Sequence, residues 1–355
     1  MVPGELRIGI IGAGMVARER HIPGFRAIEG VKIVAVCNQR RESTIRVARE
    51  FDIPKIVEDW EHLVEDPEVD AVVIGTHPSM HCPVTLGALD AGKHVLTQSR
   101  MAMNAREAQR MLDRAVECPR LVTMVAPTAL GLAGDATVRK LIADGFLGIL
   151  HEAHVRGLND TLADPTQVMG WRQMTKYVGF NMLNLGELHE TVLRWVAAPV
   201  RVLAKATKLV AIRRDPETGK RARVGTADSI QALTTHEDGS LGIYSLSGVT
   251  RNGGGNSVAL HGAAGTIFYD LDRDEIRAAR AGHPGLTPLT IPASLRGSWR
   301  VEAEFVDAIR EGKPVTRNDF ATGVRTMQFT EAVARSSRHQ QPIDLPLTEF
   351  SNPSL

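Results

Sequence analysis

LRIGIIGAGMVARERHI, residues 6–22, is the stretch that decides the fold. Its first six residues form an apolar, Ile-rich run. Gly12-Ala13-Gly14-Met15-Val16-Ala17 follows as G-x-G-x-x-A, and a helix pattern begins within it. VKIVAVCN, residues 31–38, reads as a second strand and completes a βαβ unit. Glycine pairs serve many turns, so the motif draws its meaning from this strand–turn–helix–strand setting. Gly12 permits a tight turn, Gly14 lets the main chain approach a pyrophosphate, and the small Ala17 allows close helix–strand packing. A helix N-terminus at this point offers free N–H groups to phosphate.

Outward from this unit, DAVVIGT, KHVLTQ and LVTMVAP are short Val/Ile-rich runs of the kind buried on both faces of a sheet. Between them lie helix patterns. VTLGALDAG follows Pro83, and NAREAQRMLDRAVE starts at the capping residue Asn104 with Glu107 three residues on. DATVRKLIADG runs from Asp135 to a stop at Gly145. This alternation implies a parallel, doubly wound sheet. Beyond about residue 150, HEAHVRGL, RVLAKATKLVAI, SIQALTTH, SLGIYSLSGV, SVALHG and TIFYD have period-two character, with a hairpin turn expected at Glu237–Ser240. Helices are expected at MLNLGELHETVLRWV, WRVEAEFVDAIREG and DFATGVRTMQFTEAVARSSR. The expected organisation is α/β: a nucleotide-binding domain over 1–127 and an α+β domain with a large, mainly antiparallel sheet over 128–355. Residues 213–227 read as a charged, mobile loop, and Arg251–Asn256 (RNGGGN) as a flexible hairpin loop.

With 42 Lys+Arg against 41 Asp+Glu, bulk charge supplies no pull toward nucleic acid or an anionic membrane. No apolar run reaches the length of about 18 residues that spans a bilayer, and the N-terminus lacks a signal-peptide shape. Cys37, Cys82 and Cys118 are widely spaced and odd in number, which fits neither a disulfide framework nor a zinc site. A soluble cytoplasmic protein with a small-molecule ligand and no metal is expected.

Cofactor choice rests on the end of the second strand. An acid there would bind the ribose 2′-OH and repel a 2′-phosphate. Here Asn38 stands in its place, followed by Gln39, Arg40 and Arg41. Two guanidiniums without the acid favour NADP over NAD, although NAD stays possible.

Several further runs resemble the Gfo/Idh/MocA oxidoreductases. These are DAVVIGTHPSMHCPVTLGALDAGKHVL, MLNLGELHETVLRWV, HGAAGTIFYD and VEAEFVDAIREGKPVTRNDFATGVRTMQFTEAVARS, in order and at compatible spacings. The resemblance implies a Rossmann domain, a second domain whose open sheet supports dimers or tetramers, and hydride transfer between NAD(P) and a hydroxyl or carbonyl carbon of a sugar or cyclitol. It places Gly12, Gly14, Met15 and Val16 on the pyrophosphate. Thr76, His77 and His81 then lie along the ribose and nicotinamide, with Gln98 and Ser99 near the nicotinamide ribose.

The same resemblance exposes three departures. The family's Glu-Lys-Pro turn, whose Lys is the acid/base, reads Gln98-Ser99-Arg100 here, and a hydroxyl cannot take over proton transfer. The family's Asp-x-x-x-His helix pair falls on Asn184 and Leu188, with His189 about 100° further round the helix. His189 and Lys176 are therefore the candidate proton-handling groups, with Asn184 as a hydroxyl-binding partner and Arg172 and Gln173 as substrate contacts. Two alternatives stand beside a dehydrogenase. One is a redox-neutral epimerase or lyase with tightly held NAD(P), and the other is a cofactor-binding sensor that has lost catalysis.

Overall fold

The computed structural model describes residues 5–126, 131–315 and 318–350. Pro127, the expected last residue of both a strand and a domain, lies outside them. Among the described residues the apolar runs become β1 (Leu6–Ile11), β2 (Val31–Cys37), β3 (Lys55–Ile56), β4 (Ala71–Ile74), β5 (His94–Gln98) and β6 (Thr123–Ala126). They form a parallel sheet in the order β3-β2-β1-β4-β5-β6, the doubly wound Rossmann order. Ile8, Ile10, Val72, Val73, Val95 and Leu96 have no exposure at all, because helices cover both sheet faces. The two-residue β3 carries no alternation and was not foreseen.

Local signals set the helix ends. Asn104 Oδ1 accepts from the Glu107 N–H at 2.8 Å, and Glu107 Oε2 accepts from the Met103 N–H at 3.0 Å, opening the helix Ala105–Glu117. The helix expected after Pro83 starts earlier, at Pro78, with Pro83 inside it (Pro78–Asp90). Pro78 occupies the first turn, where a missing N–H costs nothing.

In the second region, β7 (Leu150–Leu158), β8 (Pro199–Thr207), β9 (Ile212–Arg214), β10 (Arg221–Arg223), β11 (Ser229–His236), β12 (Leu241–Ser247), β13 (Gly255–Gly262), β14 (Gly265–Asp270), β15 (Glu275–Arg280), β16 (Thr287–Leu289) and β17 (Ile343–Asp344) follow. Nine of these build one sheet, β16-β15-β14-β13-β7-β12-β11-β8-β17. It is antiparallel except where β12 runs parallel to β7. Period two is visible in β11, where buried Ile230, Ala232, Thr234 and His236 alternate with exposed Gln231, Leu233 and Thr235.

Two loop expectations are corrected. Residues 213–227 hold the hairpin β9–β10. Asp215 Oδ1 accepts from the Glu217 N–H at 2.7 Å and Gly219 takes φ +70°, which makes the turn. Arg213 is buried, donating to the carbonyls of Asp164 at 2.7 Å, Gln167 at 3.4 Å and Leu162 at 2.5 Å. The Arg251–Asn256 run closes no hairpin, since β12 and β13 lie on opposite sides of β7 and the loop crosses the end of that strand.

The chain packs as two units, Met1–Pro127 with Arg300–Arg325, and Thr128–Trp299 with Thr326–Asn352. Assigning everything from 128 onward to the second domain therefore misplaces Arg300–Arg325. That segment is held to the first unit by a buried pair, His21 Nδ1 to Glu302 Oε1 at 2.5 Å, and by Phe25 edge-on to Phe305 at 6.4 Å. The Val125 N–H also donates to the Asn318 carbonyl at 2.8 Å, continuing the hydrogen bonding of β6.

Candidate functional site

Within the first unit, the strand order reverses between β1 and β4, and a crevice at the carboxyl ends of such strands takes ligands. Two glycine turns run side by side there. The Gly75 N–H donates to the Ile11 carbonyl at 2.8 Å, and the Gly12 N–H donates to the Cys37 carbonyl at 2.8 Å. Gly12 takes φ +85°, and a Cβ on it would lie 2.6 Å from Thr76 N. Gly14 differs: a Cβ there would meet only the Gly75 carbonyl oxygen, at 3.8 Å. That leaves open space above the main chain at the start of a helix over residues 15–26, whose first N–H groups are the kind that attract an anion. Met15 is exposed and Val16 half-buried in the first turn. The helix widens locally into a π-helical turn at Ala17–His21.

Asn38 serves the glycine loop itself. Its Oδ1 accepts from the Ala13 N–H at 2.7 Å and its Nδ2 donates to Ser43 Oγ at 3.3 Å. Its expected contact with a ribose is thus secondary to a positioning task. Arg40 is exposed beside the start of the helix Arg41–Glu50, and Arg41 forms an exposed ion pair with Glu58, which lies beyond that helix and carries no local cue to the pairing.

Thr76 and His77 lie in the turn after β4, where Thr76 Oγ1 donates to the His77 carbonyl at 3.2 Å. Gln98 ends β5 with Nε2 3.5 Å from where a Cβ on Gly75 would stand, so its amide leans over that turn. Ser99 is half-buried, its N–H donating to the Ala126 carbonyl at 3.2 Å, and the Ser99–Arg100 peptide bond is cis. His81, expected along the cofactor, is buried instead. Nδ1 faces the Arg100 carbonyl at 2.9 Å and Nε2 the Thr76 carbonyl at 3.1 Å. Burial pushes its pKa down to about 4, so the ring is neutral and its single N–H donates to one of these two carbonyls, with both nitrogens facing main chain.

In the second unit, His189 was expected to handle protons. It is sealed off: 2% exposed, stacked on Phe329 at 3.6 Å, with Nδ1 2.8 Å from the Tyr244 hydroxyl. Burial lowers its pKa to about 3, and its place one residue on from Leu188, about 100° further round the helix, sets it in the core. Lys176 lies exposed, with Nζ 2.6 Å from both oxygens of Glu217, and that carboxylate raises its pKa. A lysine held cationic in this way is a poor proton acceptor at neutral pH. Neither residue fits the acid/base role. Gln173 is buried with Oε1 accepting from the Gly170 N–H at 3.0 Å, which makes it a turn residue and no substrate contact. The Arg172 guanidinium lies over the Trp171 ring at 4.3 Å. Asn184 is half-buried over Gly157 and donates from Nδ2 to Asn256 Oδ1 at 2.7 Å. Asn256 was missed because the run containing it had been read as a hairpin.

Comparison with known proteins agrees with this layout. Residues 6–125 match the family described as "Oxidoreductase family, NAD-binding Rossmann fold", and residues 136–268 match "GFO/IDH/MocA C-terminal domain". A levoglucosan dehydrogenase of Pseudarthrobacter phenanthrenivorans is 25% identical, covering 96% of this chain and 98% of its own. An NADP(+) scyllo-inositol 2-dehydrogenase of Bacillus subtilis is 24% identical, covering 96% of each. The solved structure of a levoglucosan dehydrogenase in complex with NADH superposes with a TM-score of 0.85 at 21% identity, covering 96% of this chain and 99% of the other. No helix among the described residues is long and apolar enough to cross a membrane.

Proposed function

The chain belongs to the GFO/IDH/MocA oxidoreductase family and is an NAD(P)-dependent dehydrogenase or reductase; we propose that NADP is its nucleotide and a sugar-like or cyclic polyol its substrate. The observation that carries the reading is the open main chain at Gly14 at the point where strand order reverses. A bound nicotinamide supplies hydride chemistry at a hydroxyl or carbonyl carbon. Gly12, Gly14, Met15 and Val16 hold the pyrophosphate, and Gln98 and the Thr76–His77 turn flank the nucleoside. Arg40 and Arg41 meet the 2′-phosphate, Arg41 leaving Glu58 to do so. Asn184 accepts a hydrogen bond from a substrate hydroxyl without titrating.

Levoglucosan and scyllo-inositol, which two full-length relatives are named for, are the first substrates to screen. Nucleotide-free protein titrated with NADPH and NADH, read by energy transfer from its four tryptophans, tests cofactor choice. Replacing Arg40 and Arg41 together with Ala is expected to weaken NADPH about tenfold, about 1.4 kcal/mol, and to leave NADH unchanged. Equal loss for both nucleotides removes the NADP assignment.

One observation favours a second reading. Ser99, Asn184 and Leu188 stand where the family's Lys, Asp and His would act, so a nucleotide-binding sensor remains the alternative. Tight NADPH binding with no turnover across the polyol screen selects it. The free thiols of Cys37 and Cys82, pushed up to about 11 by burial, suit a reducing cytoplasm.

The open face of the large sheet carries exposed Leu203, Leu233 and Leu241 at 42%, 56% and 48%. An apolar face of this kind suits self-association, and a homodimer is our reading. Leu233→Glu is expected to halve the mass found by light scattering while circular dichroism stays unchanged.

A further inference from the structure

The loop crossing β7 brings Asp272 to the Asn184–Asn256 pair. A Cβ on Gly253 would lie 2.5 Å from Leu158 Cβ, so the chain can hug the end of β7 only as glycine. Gly254 and Gly255 then take φ +87° and +78°, and a Cβ on Gly255 would lie 2.2 Å from Asp272 Oδ2. The run thereby sets Asn256 against the Asp272 carboxylate, its N–H donating to Oδ2 at 2.8 Å and its Nδ2 to Oδ1 at 2.7 Å. Asn256 Oδ1 in turn accepts from Asn184 Nδ2 at 2.7 Å.

The two ends of a carboxamide have the same shape, so only its partners decide which end points where. A carboxylate accepts and never donates, so Asp272 obliges Asn256 to turn its NH2 toward it. Asn256 is left with its oxygen toward Asn184, and Asn184 must answer with its own NH2. Among the described residues no side chain or N–H donates to Asn184 Oδ1. We propose that Asp272 and Asn256 are positioning residues that fix the amide of Asn184, which lies over Gly157, with its NH2 committed to Asn256 and its oxygen left as the acceptor, so that the ligand group it meets is a hydrogen-bond donor, a hydroxyl rather than an ether or a carbonyl. The inference rests on the reading of Asn184 as a substrate contact.

The test uses the full chain with 15N-asparagine, the Asn184 side-chain signal being assigned by its loss in Asn184→Ala. Asp272→Asn removes the acceptor-only end of the relay at an exposed position. It is expected to shift the Asn184 NH2 signal and speed its exchange, although the two residues share no hydrogen bond. With levoglucosan as probe, KM is expected to rise about fivefold with kcat held within about twofold, and Asp272→Glu to recover most of it. An Asn184 signal unmoved in Asp272→Asn overturns the positioning role. A moved signal with KM unchanged in Asn184→Ala keeps the relay and removes Asn184 as a substrate contact, which separates the two failures.

Discussion

Gly14→Ala is expected to leave the fold intact and to weaken nucleotide binding by about a hundredfold, about 2.7 kcal/mol. The new methyl meets nothing of the protein closer than the Gly75 carbonyl oxygen at 3.8 Å. On the proposed reading, it enters the volume that a pyrophosphate needs in order to reach the N–H groups of the following helix. Gly12→Ala is the informative companion. Its methyl must fit 2.6 Å from Thr76 N and Thr76 Cγ2 on a residue at φ +85°, so this variant loses stability as well, by about 3 kcal/mol. Thermal unfolding and NADPH titration measured side by side should separate the two variants. Equal NADPH affinity in Gly14→Ala and the parent protein would show that the nucleotide does not lie over this loop.

The second large effect is on acid stability. His81 and His189 are neutral in the fold at about 4 and about 3, whereas an unfolded chain holds histidine near its ordinary value of about 6.5. Above pH 6.5 neither state binds the proton and both residues contribute fully. As pH falls below 6.5 the unfolded chain takes up protons that the folded chain refuses, so stability drops until the folded values are passed. The loss is on the order of 3 kcal/mol for each residue, a large part of an ordinary domain's stability, and it accrues from about pH 6.5 down to the folded values. Replacing His189 and Tyr244 together with Phe removes one protonation and leaves no lone buried hydroxyl, so the acid limb of a urea-midpoint-against-pH curve should flatten by one proton. Turnover in that variant should persist, because His189 lies in the core. A catalytic collapse with the stability profile unchanged would restore the proton-handling role that its burial argues against.

Why some of this was legible in sequence and some was not comes down to the range of the forces involved. The parallel sheet announces itself because burial on both faces demands continuous apolar runs, and because Gly12, Asn104 and Gly145 are local punctuation. Substitution of the family's lysine by Ser99 was equally plain. The β9–β10 hairpin was hidden under charge, since Arg213 is satisfied by carbonyls some fifty residues earlier (its partner Leu162 is 51 positions away). His189 could be read as a candidate but its burial could not, because the direction of a helix face depends on Tyr244 and Phe329, both distant in sequence. Asn256 lies 72 positions from Asn184, and only the order of strands around β7 brings them together.

The return of Arg300–Arg325 to the first unit makes the chain a nested one: the nucleotide-binding unit is begun first and finished almost last. On a ribosome, the glycine loop and all six parallel strands emerge well before the helix carrying Glu302, so His21 meets this partner only once most of the chain is made. Closing that unit requires contacts about 280 residues apart in sequence, which slows folding through the entropy of so long a loop (His21 and Glu302 are separated by 281 positions). It also means that residues 1–127 by themselves are an unfinished unit, and that the segment 300–325 belongs with them in any attempt to fold it alone.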